Sequence, residues 1–116
     1  MYFCIKQNTI YLNYIMGIFS FLFGNKNEKI KDFQNRGAVI LDVRSKAEYD
    51  SGAIPGSKHI PLPSIQSKVA EIKKWNKPVI TCCASGMRSG SAAAILRNNG
   101  VEVLNGGGWQ SLANKL

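Results

Sequence analysis

Three short apolar runs constrain this chain more than any other feature: Ala38-Val39-Ile40-Leu41-Asp42, Val79-Ile80-Thr81-Cys82 and Val101-Glu102-Val103-Leu104. The first is continuous and ends on a polar residue, the pattern of a strand buried on both faces. Segments with helical signals separate the runs. Ile30 and Phe33 before Gly37 predict a helix near 26–36. Ser45 with Glu48 three residues on is a capping box, predicting a short helix over 45–51 that stops at Gly52. Ser64 is expected to cap a third helix with Ile65, Val69, Ile72 and Trp75 on one face. Ser89 to Asn99 reads as a fourth, ended by Gly100. His59-Ile60 predicts a short strand before Pro61, and Gly106-Gly107-Gly108 a loop with unusual backbone angles. Strands and helices in this rhythm imply an α/β fold, with a parallel sheet of four to five strands and helices on both faces.

A chain of 116 residues with this pattern is one domain with a core large enough to stand without metal or disulfides. Three cysteines, two of them adjacent, make a poor disulfide framework. One histidine and no Cys-x-x-Cys pair leave no zinc site, so neither metal nor cofactor is expected. Fifteen Lys and Arg against seven Asp and Glu give a net charge of +8, which favours anionic partners. The basic residues are scattered (Lys26, Lys29 and Lys31; Lys73, Lys74 and Lys77) without interleaved aromatics, so no nucleic-acid partner is expected. Trp75 and Trp109 read as packing residues, and His59 as a hydrogen-bonded strand-end residue.

Ligands of open α/β sheets sit beyond the carboxyl ends of the strands. There lies Cys82-Cys83-Ala84-Ser85-Gly86-Met87-Arg88-Ser89, between a buried strand and a helix start. Small residues let the backbone curl so that successive N–H groups point inward, and the helix adds unsatisfied donors and a positive dipole end. Arg88 adds a permanent charge with a planar fork suited to oxyanions. A cysteine in such a ring has its thiolate stabilised, which makes it a nucleophile near neutral pH.

Cys-x-Ser-Gly-x-Arg-Ser, from Cys83 to Ser89, resembles the active-site loop of single-domain rhodaneses. Leu41-Asp42-Val43-Arg44, Glu48-Tyr49 and Gly52-Ala53-Ile54-Pro55-Gly56-Ser57 are similar to the family's amino-terminal signature, although Ala53 stands where histidine is commonest. Val103-Leu104-Asn105-Gly106-Gly107-Gly108-Trp109 resembles its carboxyl-terminal one, so the likeness covers roughly residues 38–112. It implies a rhodanese-like three-layer sandwich and a sulfurtransferase in which Cys83 carries sulfur as a persulfide. An anionic donor such as thiosulfate would supply that sulfur, and cyanide or a cellular thiol, a protein thiol included, would accept it. The likeness further implies that the backbone of Ala84, Ser85, Gly86, Met87, Arg88 and Ser89 holds the persulfide while Arg88 orients the donor's oxygens. Asp42 and Arg44 are assigned to structural support, as an ion pair pinning neighbouring loops.

Two rivals use the same letters. Counted from Cys82 the segment is Cys-x5-Arg, the spacing of cysteine phosphatases and arsenate reductases; counted from Cys83 it is Cys-x4-Arg. Gly86 favours the Cys83 register, and Thr81 stands where the phosphatases commonly have histidine. The other rival is a non-catalytic module that uses Cys83 only as a persulfide carrier or sensor.

Residues 1–24 differ in character, with an apolar run from Thr9 to Phe23 that precedes the domain at 25–116. The run is short for a membrane span, and it lacks a small-x-small cleavage site. An amphipathic helix making a peripheral membrane contact is one account, and translation starting at Met16 is another. Thiol chemistry without disulfides places the expected site of action in the cytoplasm, with membrane association through this segment.

Overall fold

The computed structural model describes residues 25–116; the apolar run and the Met16 alternative lie outside the described residues. The chain alternates between helices and strands. Helix α1 spans Lys26–Asn35, β1 Val39–Asp42, α2 Lys46–Asp50 and β2 Lys58–His59. After a 3₁₀ turn at Leu62–Ser64 come α3 at Ile65–Lys74, β3 at Val79–Cys83, α4 at Met87–Asn98, β4 at Val103–Gly108 and α5 at Trp109–Ala113. The four strands form one parallel sheet in the order β2-β1-β3-β4.

Both faces of the sheet are covered. Ile30 and Phe33 of α1 and Leu112 of α5 pack with Ile80 and Cys82 on one side. Ile65, Val69 and Ile72 of α3 and Ala92, Ala93 and Leu96 of α4 pack with Leu41, Val79, Val103 and Cys83 on the other. Successive strand side chains alternate between faces, so the adjacent cysteines are assigned to opposite cores. This is the expected three-layer α/β sandwich, with four strands.

Side-chain caps start the first two helices, the second as the Ser45–Glu48 spacing predicts. The Asn25 side chain accepts from the Glu28 N–H at 2.8 Å and caps α1. Ser45 and Glu48 form both halves of the capping box on α2. Three local expectations need correction. Ser64 makes no side-chain capping bond, because the chain enters α3 through the 3₁₀ turn and Ser64 is itself helical in backbone. Trp75 lies just past α3 as its C-cap, yet it packs on the same core as Ile65, Val69 and Ile72, with the Lys58 Nζ 5.3 Å from its ring centroid. Helix α4 starts at Met87, two residues before Ser89, because Gly86 at φ +106 turns the chain directly into it.

The triple glycine is not a loop but the second half of β4. A Cβ on Gly106 would stand 2.8 Å from both Ile80 Cγ2 and the Thr81 carbonyl oxygen, and one on Gly108 2.9 Å from the Ala84 oxygen. Only residues without side chains let β4 approach β3 this closely. The pairing register shifts between Thr81 and Cys83: Thr81 pairs with Asn105 and Cys83 with Gly108, so the extra residue is accommodated in the glycine segment of β4.

Candidate active site

Cys83 is the last residue of β3, and its sulfur is the focus of the loop that follows. The Gly86 N–H donates to Sγ at 3.0 Å and the Ser89 N–H at 3.4 Å, while the Ser89 hydroxyl lies 3.3 Å away. Burial pushes this thiol up. Hydrogen bonds from the Ser89 hydroxyl and from the Ser89, Gly86 and Ser85 N–H groups outweigh it, so the net shift is below the ordinary value. These donors belong to the loop and to the first turn of α4, where N–H groups have no helical partner of their own. Of the remaining loop residues, Ala84 and Met87 are exposed, Met87 to 82%.

Cys82 has the opposite environment. It is fully buried on the α1 face, and burial, reinforced by the Asp42 carboxylate, raises its thiol to about 12. Its sulfur is therefore a protonated packing group, and the loop donors converge on the Cys83 register.

A residue with no chemical role assigned from its motif ties the ring shut. Asn105 of β4 accepts from the Ser89 hydroxyl at 2.7 Å and from the Gly107 N–H at 3.0 Å through Oδ1, and donates from Nδ2 to the Gly86 carbonyl at 3.1 Å. One amide thus holds the loop, the start of α4 and the glycine segment together. The only local clue was a polar residue at the end of an apolar run. Thr81 adds a bond from its hydroxyl to the Ser89 carbonyl at 2.9 Å.

Arg88 and Glu48 meet across the mouth of the loop. Arg88 Nη1 donates to Glu48 Oε1 at 2.7 Å and Nη2 to Oε2 at 2.9 Å, a fork-to-fork pair. The Arg88 fork is therefore engaged by protein rather than open toward the sulfur. The guanidinium, helped by the Ser45 backbone and hydroxyl, holds the Glu48 carboxyl down to about 2. Glu48 appeared in the sequence as a helix cap and as part of a motif; its meeting with Arg88 did not.

Asp42 and Arg44 form a second pair beneath this one, both side chains almost wholly buried. Arg44 Nη2 donates to Asp42 Oδ2 at 2.7 Å, and its Nε bonds both carboxylate oxygens at 3.0 Å. The same guanidinium donates to the carbonyls of Gly52 at 2.7 Å and Glu48 at 3.3 Å and stacks over Trp109, 4.6 Å from the ring centroid. The pair thus links the end of β1, the end of α2 and the start of α5. His59 Nε2 makes a 2.7 Å hydrogen bond with the Arg44 carbonyl, and its ring stacks on Tyr49. No cluster of metal-ligating side chains exists among the described residues.

Cys83 is cradled by loop and helix N–H groups at the carboxyl edge of a four-stranded parallel sheet. The family model for the rhodanese-like domain aligns with residues 26–115. This chain belongs to the rhodanese-like domain family. The domain is 37% identical over 83 residues to the thiosulfate sulfurtransferase GlpE of Stutzerimonas stutzeri, covering 69% of this chain and 75% of that one. It is 39% identical over 83 residues to the Bacillus subtilis protein YqhL, covering 70% of this chain and 65% of YqhL, just under two-thirds of that relative. Among solved structures, a rhodanese with anions from E. coli matches at a TM-score of 0.60 and 30% identity, over 65% of this chain and 91% of that one. The reduced CoADR-RHD of Bacillus anthracis matches at 0.63 and 30%, over 77% of this chain but only 16% of that much longer one. Membership of this family supports a sulfurtransferase.

Proposed function

We propose that this rhodanese-like domain is a persulfide-forming sulfurtransferase that takes a sulfane sulfur from an anionic donor such as thiosulfate. The Cys83 thiolate attacks the sulfane sulfur, and the bond from that sulfur to the sulfonate sulfur breaks. Sulfite leaves with the bonding pair, and the enzyme holds Cys83–S–S⁻. Cyanide, or the thiolate of a small molecule or protein, then attacks the terminal sulfur and carries it off, returning the Cys83 thiolate in a ping-pong cycle. The site of action consistent with free thiols is the cytoplasm, with the apolar segment before residue 25 as a peripheral membrane contact.

The observation that carries this reading is the set of donors on one sulfur, the Gly86 and Ser89 N–H groups at 3.0 and 3.4 Å and the Ser89 hydroxyl at 3.3 Å. They stabilise a thiolate before reaction, and the same preorganised groups face the terminal persulfide anion after it. The Ala84, Met87 and Arg88 segments shape the ring, and the Arg88–Glu48 pair borders its mouth. No step needs a metal or an organic cofactor.

Intact-mass spectrometry before and after thiosulfate tests the proposal. The wild type gains the mass of one sulfur atom and loses it on addition of cyanide, with thiocyanate released. Cys83→Ser gains none. A wild type that stays unmodified under thiosulfate and under a small-molecule persulfide overturns the reading.

A further inference from the structure

Resting on the sulfurtransferase reading, we infer that Glu48 is a positioning residue that sets the charge selectivity of the site, disfavouring dianionic sulfur donors relative to monoanionic ones. Arg88 is the cation beside the loop, yet both of its terminal nitrogens are spent on Glu48. The carboxylate is itself anchored: Oε1 also accepts from the Ser45 N–H at 3.1 Å and the Ser45 hydroxyl at 2.9 Å. Arg88 thus presents its Nη1–Nη2 edge to a donor's oxygens only by giving up a bidentate partner fixed to the first turn of α2, and its remaining N–H groups act beside that carboxylate. Asp42, Arg44, Glu48 and Arg88 carry two negative and two positive charges, so the Cys83 thiolate decides the sign of the site. Lys26, an exposed residue whose Nζ lies over Gly107, adds an ammonium near the loop that solvent and salt screen. An incoming dianion meets the Glu48 carboxylate with two charges, a monoanion with one.

The motif-level expectation treats Arg88 as the donor-binding group. The structure assigns that fork to Glu48 and leaves oxyanions to the loop amides. Glu48 is then the residue whose removal changes which donors enter.

Glu48→Gln tests this cleanly, because glutamine still serves as the third residue of a capping box and occupies the same volume. The readout is the ratio of kcat/KM for thiosulfate, a dianion, to that for p-toluenethiosulfonate, a monoanion with the same sulfane sulfur. In Glu48→Gln the ratio rises about fivefold, through a lower KM for thiosulfate, as expected for removing one charge from a solvent-exposed, screened mouth. Glu48→Asp, which keeps the charge, stays within about twofold of wild type. A second arm needs no sulfur transfer: sulfate protects Cys83 from iodoacetamide, and its half-protecting concentration falls about fivefold in Glu48→Gln. A ratio and a sulfate midpoint unchanged in Glu48→Gln overturn the inference and reduce Glu48 to a helix cap. A ratio that rises equally in Glu48→Asp overturns the charge account. If wild type takes sulfur from neither donor, the sulfurtransferase reading fails, and the sulfate arm still decides what Glu48 does to anions.

Discussion

Ser89→Ala separates the contribution of one hydroxyl from that of the backbone around Cys83. The Ser89 N–H at 3.4 Å and the Gly86 N–H at 3.0 Å remain, and the hydroxyl at 3.3 Å goes. A hydrogen bond to a charged acceptor is worth about 1.5–3 kcal/mol, or about one to two pKa units. The hydroxyl has one proton, however, and Asn105 Oδ1 competes for it at 2.7 Å. Oδ1 also accepts from Gly107 while Nδ2 donates to Gly86, so the amide cannot flip to relieve the competition. The lower end is therefore expected: a rise of about one unit in the Cys83 pKa. Activity at a pH below both values then falls roughly threefold to fourfold, because a tenfold loss of thiolate is partly offset by the greater nucleophilicity of a more basic sulfur. The assay is the rate of Cys83 alkylation by iodoacetamide against pH, with the modified site located by peptide mass. Alkylation rises with pH through a midpoint below the ordinary thiol value in wild type, and that midpoint moves upward in Ser89→Ala. An unmoved midpoint in folded Ser89→Ala refutes the reasoning, since the Ser89 hydroxyl of the wild type would then keep donating to Asn105 when the thiolate forms.

Cys83→Ser abolishes sulfur transfer, whereas Cys82→Ser keeps turnover per folded molecule and loses about 1–3 kcal/mol for a buried hydroxyl without a partner, both read by thiosulfate:cyanide assay and denaturant unfolding. Cys82 also gives an alkaline limit: its thiol is raised from 9.0 to about 12 in the fold, so its contribution is intact below pH 9.0 and is lost as pH climbs toward 12. Cys82→Ala flattens that part of a stability–pH curve. Asp42→Ala strands the buried Arg44 guanidinium and costs about 3–5 kcal/mol, a fall of at least about 12 °C in Tm for a domain of this size. A calorimetric shift of only a few degrees would show that water reaches Arg44. Gly106→Ala drives a Cβ to 2.8 Å from the Thr81 carbonyl oxygen, which is sheet backbone, and lowers stability by about 1–3 kcal/mol in the same unfolding assay.

What the sequence determined by itself was set over a few residues at a time. The Ser45 cap, the continuous strand at Val39–Asp42 and the curl of Cys83 to Ser89 into a helix start all depend on neighbours within one turn. Such bonds depend on residues a few positions apart, so they are legible without knowledge of the rest of the chain, although Ser64 shows that a preceding turn can pre-empt them. Alternation along β3 even separates Cys82 from Cys83, although which face meets the loop follows from α4 packing on the Cys83 side. The tertiary structure alone decided the rest. Glu48 meets Arg88 forty positions on, and Asn105 meets Ser89 and Gly86 sixteen and nineteen positions back. Those partners come together only because the sheet places β1, β3 and β4 side by side and parallel, bringing the ends of all three strands to one edge. The glycines show the same limit: read locally, Gly106-Gly107-Gly108 signals backbone freedom and hence a loop. In the folded domain Gly106 and Gly108 are the residues small enough to pass Ile80, Thr81 and Ala84, and a strand results.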